Sequence, residues 1–167
     1  DYIALHTRYD FAAVDNHTND NPNMFNAYGT LVNGLAVCQG YALAYMDLLS
    51  ANGVKSYFVS SKNINHAWLI IETEKGWYHS DVTWDDPRLE AGDYTNDGDY
   101  MGYCQHDYFM NTVADINASH FKNASNDANP SVLFDTTPAA AATAHENSGF
   151  WGGIKCGMVR INGTWYY

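Results

Sequence analysis

Apolar residues recur at roughly helical spacing through "IALHTRYDFAAV" (residues 3–14), which predicts an opening helix. The Asn- and Asp-rich "DNHTNDNPN" that follows lacks this period and reads as a surface loop. After the Gly-containing "AYGTLVNGLAV", a second helical pattern runs from about Cys38 to Ser50. Its expected inward stripe is Tyr41, Ala44, Tyr45, Leu48 and Leu49, with "ANG" as the stop signal. Three β-type runs come next, "SYFVSS", "HAWLIIE" and "GWYHSDVTW", the last two joined by the hairpin-type turn "TEKG". Strands linked by hairpins after one long helix predict an antiparallel sheet packed on that helix, an α+β layout.

Beyond the strands, "DDPRLEAGDYTNDGDYMGY" is rich in Gly and Asp and reads as a long loop, after which "HDYFM" is expected to return the chain to the body of the domain. From Asn111 to about Asn147 the periodicity fades, apart from the Ala-rich "TTPAAAATAHEN", which reads as a short helix. The tail "GGIKCGMVRINGTWYY" holds Asn-Gly between two β-type runs, a hairpin signature. The chain therefore divides into a body over 1–150 and a hairpin over 151–167, which either closes the sheet of the body or opens a following module.

At 167 residues, 46% hydrophobic and 16% charged, the chain is long enough for one globular domain with a single core. Nineteen acidic residues against eight basic ones give a net charge of -11, which excludes a nucleic-acid binder, since neutralising phosphates needs clustered Lys and Arg. No apolar run approaches the roughly 18 residues of a membrane-spanning helix. The chain opens at Asp1 without a signal-like stretch, as expected of a piece of a longer protein. Its 13 Tyr and 5 Trp, with few Lys, lead us to expect an extracellular or cell-envelope location, and no oligomeric state is implied. Three cysteines exclude a dense disulfide framework and leave at least one thiol unpaired, with Cys104 and Cys156 as the one pair left open.

One of these thiols, Cys38, stands at the start of the expected helix, where unpaired backbone N–H groups and the helix dipole stabilise a thiolate. His66 opens one expected strand and Asp81 lies in the next. An imidazole near Cys38 would take the thiol proton and deliver it to a leaving amine, and a carboxylate on its other nitrogen would fix its tautomer. Cross-strand neighbours lie about 4.5–5.5 Å apart at Cβ, so the His66–Asp81 contact is geometrically easy. Taken singly, each residue has a plainer reading: Cys38 as a small buried side chain, His66 as structural, Asp81 as a turn cap. Around them, Trp68 and Trp84 are candidates for the walls of a substrate cleft or for the core. Gln39 could point its amide into the site, while the Cys38 backbone N–H and the Tyr28 side chain are candidate oxyanion donors. His79, Asp81, His106 and Asp107 match no established zinc spacing, and "NDGD" does not match the 12-residue calcium loop, so neither a metal nor a cofactor is expected.

Three blocks, "GLAVCQGYALAYMDLL", "NHAWLIIE" and "GWYHSDVTWDDP", resemble the signature blocks of the transglutaminase-like superfamily, in its bacterial branch of papain-type cysteine proteases and acyltransferases. That pattern is a Cys followed closely by Tyr-Ala, then His-Ala-Trp, then Trp-Tyr-x-x-Asp-x-Thr-Trp-x-Asp-Pro. Here it is met by Cys38 with Tyr41 and Ala42, by His66 to Trp68, and by Trp77 to Pro87, within a likeness covering about residues 1–110. The resemblance implies a papain-like core, with the Cys-bearing helix on an antiparallel sheet, and a Cys38–His66–Asp81 triad. It also implies acyl transfer on a peptide or protein substrate, cell-wall or surface associated. Hydrolysis by a protease or amidase is the expected outcome. The alternatives are protein-glutamine cross-linking and a non-catalytic peptide- or glycan-binding module.

Overall fold

A computed structural model describes residues 1–15, 21–62, 64–86 and 103–120, together with short strands at 156–157, 159–161 and 164–166. In chain order these form α1 (Tyr2–His6), β1 (Arg8–Tyr9), α2 (Phe11–Asp15), a π-helical turn (Gly29–Asn33), β2 (Leu35–Ala36) and α3 (Cys38–Ala51). Then follow β3 (Ser56–Ser61), β4 (His66–Thr73), β5 (Gly76–Ser80), β6 (Tyr103–Cys104), α4 (Val113–His120), β7 (Cys156–Gly157), β8 (Val159–Ile161) and β9 (Thr164–Tyr166). The layout is α+β, with α3 against an antiparallel sheet of order β3-β4-β5.

The expected helix over 3–14 is two short helices separated by a strand. Thr7 turns extended at φ -123° and ψ 141°, and Arg8 and Tyr9 pair in parallel with Leu35 and Ala36. Asp10 then restarts helical structure by accepting the Ala13 N–H at 3.0 Å, as an N-cap does. Non-local pairing has overridden the helical period, and it fixes Tyr9 beside the strand that leads into Cys38.

The helix read from Cys38 to Ser50 runs one residue further. It ends where Gly53, at φ 73°, and Val54 donate back to Ser50 and Leu49. Tyr41 and Ala44 pack on Ile3, Ala4 and Ala36, while Ala42 packs on Leu69 and Ile71 of β4. Leu48, placed by the period in the inward stripe, is exposed, and Ala42 is buried in its stead. The stripe is rotated because α3 is covered on two sides, by the α1 region and by the sheet.

Strand β4 lies between its two neighbours, and its residues 66–71 are all buried rather than alternating. Leu69 and Ile71 face α3; Trp68 and Ile70 face Val59 and Ile116 of α4. A strand covered on both faces reads as a continuous apolar run. Asn65, at φ 47°, takes the left-handed conformation that Asn tolerates and turns the chain so that His66 begins the strand.

The "HDYFM" return occurs as expected: Tyr108 accepts the Asp81 N–H at 3.0 Å, and Asn111 bridges to His79. In the tail, Ile161 pairs with Thr164 across Asn-Gly, and Cys104 faces Cys156 in the β6–β7 register. Cys104 is buried, with its sulfur 3.7 Å from Asp1 Oδ1. The loop after Asp86 and the Ala-rich segment lie outside the described residues.

Gly40 shows how tightly the first turn of α3 is seated. A Cβ there would lie 2.7 Å from the Met24 carbonyl oxygen and 2.8 Å from the Ala36 Cβ. Backbone cannot swing aside, so Gly40→Ala is expected to lower stability by about 1–3 kcal/mol, read as a reduced denaturation midpoint. The outward gain in helix propensity, about 1 kcal/mol, is too small to reverse the sign.

Candidate active site

Three elements bring the site together. Cys38 is the first residue of α3, after Val37 in extended conformation, and is 9% exposed. His66 is the first residue of β4, and Asp81 follows the last residue of β5. Asp81 therefore lies one position beyond the strand expected to hold it. Extending the Leu69–Ser80 register would set it opposite Trp68, so it meets His66 diagonally rather than as a direct cross-strand partner.

His66 Nε2 donates to Asp81 Oδ2 at 2.5 Å, and the ring also hydrogen-bonds the Cys38 thiol. With Nε2 engaged, Nδ1 is the nitrogen left for sulfur. The other carboxylate oxygen, Oδ1, accepts the backbone N–H groups of Thr83 and Trp84 at 3.0 and 3.2 Å. Asp81 thus caps the turn that ends β5 and orients His66 at once, so the plain and the chemical readings of this residue both hold geometrically.

Electrostatics follow from these contacts. Burial alone would push the Cys38 thiol up. The hydrogen bond and charge of His66, the Ala67 backbone N–H and the Tyr9 hydroxyl outweigh it and leave the thiol below its ordinary value. For His66, burial favours the neutral ring, yet Asp81 and then Cys38 reverse this and raise it to about 9. Burial also opposes ionisation of Asp81, but the two neighbouring imidazoles, His66 and His120, bring its carboxyl below the usual range. The arrangement favours a thiolate–imidazolium pair held by a buried carboxylate.

Sequence reasoning missed two residues here. Tyr9 donates its hydroxyl to the Cys38 sulfur and accepts the Cys38 backbone N–H, and burial with the nearby thiolate pushes its own ionisation well up, so it stays a donor. His120, at the end of α4, donates from Nε2 to Asp81 Oδ2 at 2.8 Å and stacks on Trp84 with ring centres 3.9 Å apart. A sequence signal for α4 did exist. Thr112 and Asp115 form a reciprocal capping box, with Thr112 N–H to Asp115 Oδ2 at 2.9 Å and Asp115 N–H to Thr112 Oγ1 at 3.2 Å.

The other candidates fall elsewhere. Tyr28 is 56% exposed, and it is Tyr9 whose hydroxyl meets Cys38. Gln39 turns its amide to the Phe25 carbonyl at 3.2 Å. Trp68 is 1% exposed and cannot wall an open cleft; it backs the His66 ring and donates Nε1–H to His79 Nδ1 at 2.9 Å. Trp84 is half-buried beside His66 and His120 and stays available as a wall. His79 is driven down to about 4, first by burial and then by His120, and remains a neutral acceptor. His106 donates instead to Asp1 at 2.8 Å, so the His79, Asp81, His106 and Asp107 set does not assemble.

His66, Asp81 and His120 lie close enough to suggest a metal site. Their spacing argues for hydrogen bonds: a tetrahedral ion with bonds of about 2.0–2.1 Å keeps its ligand atoms roughly 3.3 Å apart, wider than the 2.5 and 2.8 Å seen here. Two imidazole N–H donors on one carboxylate account for the cluster. A cavity of about 410 Å³ between α1, the end of α3 and residues 104–109 does not include Cys38 among its lining residues.

Tyr41 ties the Cys38 helix to the Asp81 turn by donating its hydroxyl to Asp86 Oδ2 at 2.6 Å. Burial pushes the Asp86 carboxyl up to about 7, with this hydrogen bond opposing. Tyr41→Phe is expected to cost about 1–2 kcal/mol of stability, since it strands a half-buried acceptor, and a chemical denaturation curve reads it directly.

No family model matches the chain, and no curated protein matches it. Among solved structures, one described as a TGase aligns with TM-score 0.44 and 22% identity over 48% of this chain. The aligned part spans 23% of that chain. Among the described residues, no helix is long and apolar enough to cross a membrane.

Proposed function

We propose that the protein is a cysteine-dependent acyl-transfer enzyme acting on peptide or protein amide bonds, and that hydrolysis is its main outcome. The observation that carries this reading is the continuous chain of contacts from Cys38 through His66 to Asp81, with the thiol lowered and the imidazole raised. A merely structural cysteine in apolar surroundings would be raised. The likeness of the three sequence blocks to the transglutaminase-like superfamily supports the same assignment, including a transglutaminase-like core.

The Cys38 thiolate attacks the amide carbonyl carbon, and negative charge moves from sulfur to the carbonyl oxygen. Tyr9 and the Cys38 N–H already face each other at the sulfur. As the charge moves, the hydroxyl proton and the backbone N–H become the donor pair for the oxyanion. His66 gives its proton to the departing amine, leaving a thioester and a neutral ring. That ring then takes a proton from water, or from a second amine, as either attacks the thioester and regenerates the thiolate. Asp81 remains ionised throughout and holds the ring orientation.

Water as acceptor gives a peptidase or amidase, and an amine gives a cross-linking transferase from the same thioester. Peptide-library profiling by mass spectrometry, with and without added amines, separates the two. Cleaved peptides in both arms support hydrolysis; amine adducts without cleavage replace it with cross-linking. Failure of either product to form in any peptide class would favour a non-catalytic binding module. Tyr9→Phe is expected to lower kcat/KM by about 10- to 100-fold, the worth of a hydrogen bond to a charged group, with the fold retained. Steady-state kinetics beside a thermal melt checks both halves.

A further inference from the structure

One Asp81 oxygen serves two rings. Oδ2 accepts from His66 at 2.5 Å and from His120 at 2.8 Å, while Oδ1 is occupied by the Thr83 and Trp84 N–H groups. The His120 side chain has no exposed surface. It lies flat on Trp84 at 3.9 Å and 15°, meets the Tyr108 ring edge-on, and lies 5.2 Å from the Trp68 ring centre. Its Nδ1 is 2.8 Å from Ser119 Oγ. Ser119 gives its own hydroxyl proton to the Asp115 carbonyl at 2.9 Å, and a 2.8 Å contact with an ionised carboxylate requires a donor, so Nε2 carries a proton pointed at Asp81. So firmly held a second imidazole exceeds what capping a turn requires.

We infer that His120 is a positioning residue for acyl transfer: its Nε2–H steers the Asp81 carboxylate toward His66 and draws off part of the carboxylate charge, so that His66 releases its proton more readily. The inference rests on the assignment of Cys38 and His66 as nucleophile and acid. Its logic is a competition. A carboxylate that already accepts one N–H attracts a second, charged one less strongly. Without the His120 donor, His66 binds its proton more tightly and becomes a poorer acid toward the leaving amine. Among the described residues, the groups facing His120 are His66 and Trp68 from β4, His79 from β5, Asp81 and Trp84 from the turn after it, Tyr108 from the returning segment, and Ser119 from its own helix. His79 is held neutral and Asp81 ionised, so His66 is the neighbour whose charge answers.

The test compares His120→Phe, which keeps a stacking ring but no N–H, with His120→Gln, whose amide N–H reaches toward the same oxygen. Turnover and the rate of Cys38 alkylation by iodoacetamide are followed against pH. Removing the donor is expected to move the His66 step alkaline by about one unit and to slow turnover about tenfold, with Gln restoring most of both. Wild-type pH profile and rate in His120→Phe would overturn the inference. So would equal loss in Phe and Gln, which would mean a structural role only, or a stoichiometric transition metal whose removal abolishes activity. If wild type itself shows no imidazolium-linked step in Cys38 alkylation, the underlying acyl-transfer reading fails instead. Should Phe fail to fold, the Gln variant alone decides: a His66 step displaced as far as one unit contradicts the rescue.

Discussion

Replacing Cys38 with Ala is expected to abolish turnover, with a loss on the order of a million-fold, because the group that forms the covalent intermediate is gone and none of the described residues beside it can substitute. His66, Tyr9 and the Ala67 backbone surround the sulfur without offering a second nucleophile of comparable reactivity. The fold should survive. Ala conserves the small apolar character of a position that is already 9% exposed and leaves the seating of Gly40 in α3 against Met24 and Ala36 unchanged. A denaturation midpoint near that of wild type, beside absent activity, is the expected pair of results. Full activity in Cys38→Ala on the true substrate would contradict the mechanism.

His66→Ala is expected to have the next largest effect, lowering kcat/KM by about 10²- to 10⁴-fold, the usual contribution of a positioned acid and base. It also removes the largest influence holding the Cys38 thiol down, so the thiol should rise toward its ordinary range. The pH dependence has a definite sign in wild type. His66 is raised to about 9, so the imidazolium that protonates the leaving amine persists below that pH, and turnover declines as pH rises through it. On the acid side, turnover declines as the lowered Cys38 thiol takes up its proton. Stability follows the same linkage. The His66 contribution is fully present below its unfolded value near 6.5 and is lost as pH rises through about 9. That of Asp81 is present above its unfolded value near 3.9 and is lost as pH falls through its lowered folded value. Rate profiles and denaturation curves across the pH range read both.

The parts legible in the sequence are those set by local pattern. The α3 period, the three β-type runs and the turns between them place Cys38 and His66 on the elements where they occur. What the sequence hid depends on contacts between distant segments. Helical spacing through residues 3–14 concealed the β1–β2 pairing, and with it the reason that Tyr9 reaches the sulfur. Trp68 reads as core or cleft wall, with core the commoner place for a strand aromatic, until β4 is known to be covered on both faces by α3 and α4. Helix α4 has little amphipathic pattern, and only the Thr112–Asp115 box announces it, so His120 gave no sign of belonging with residues 39 positions earlier. Tyr28, a candidate oxyanion donor, and Gln39, the residue after Cys38, lie instead on the exposed face of the loop and helix start.

The central claim is that Cys38 is a thiolate paired with the His66 imidazolium, and the pH dependence of its alkylation tests this most directly. Iodoacetamide modification is quantified on the Cys38 peptide by mass spectrometry, so that Cys104 and Cys156 do not contribute. Rapid modification is expected to persist at about pH 5–6, where an ordinary thiol with pKa near 8.5 scarcely reacts, and this acid-side reactivity is expected to be lost in His66→Ala. A rate that climbs only around the ordinary thiol pKa, alike in wild type and His66→Ala, would contradict it.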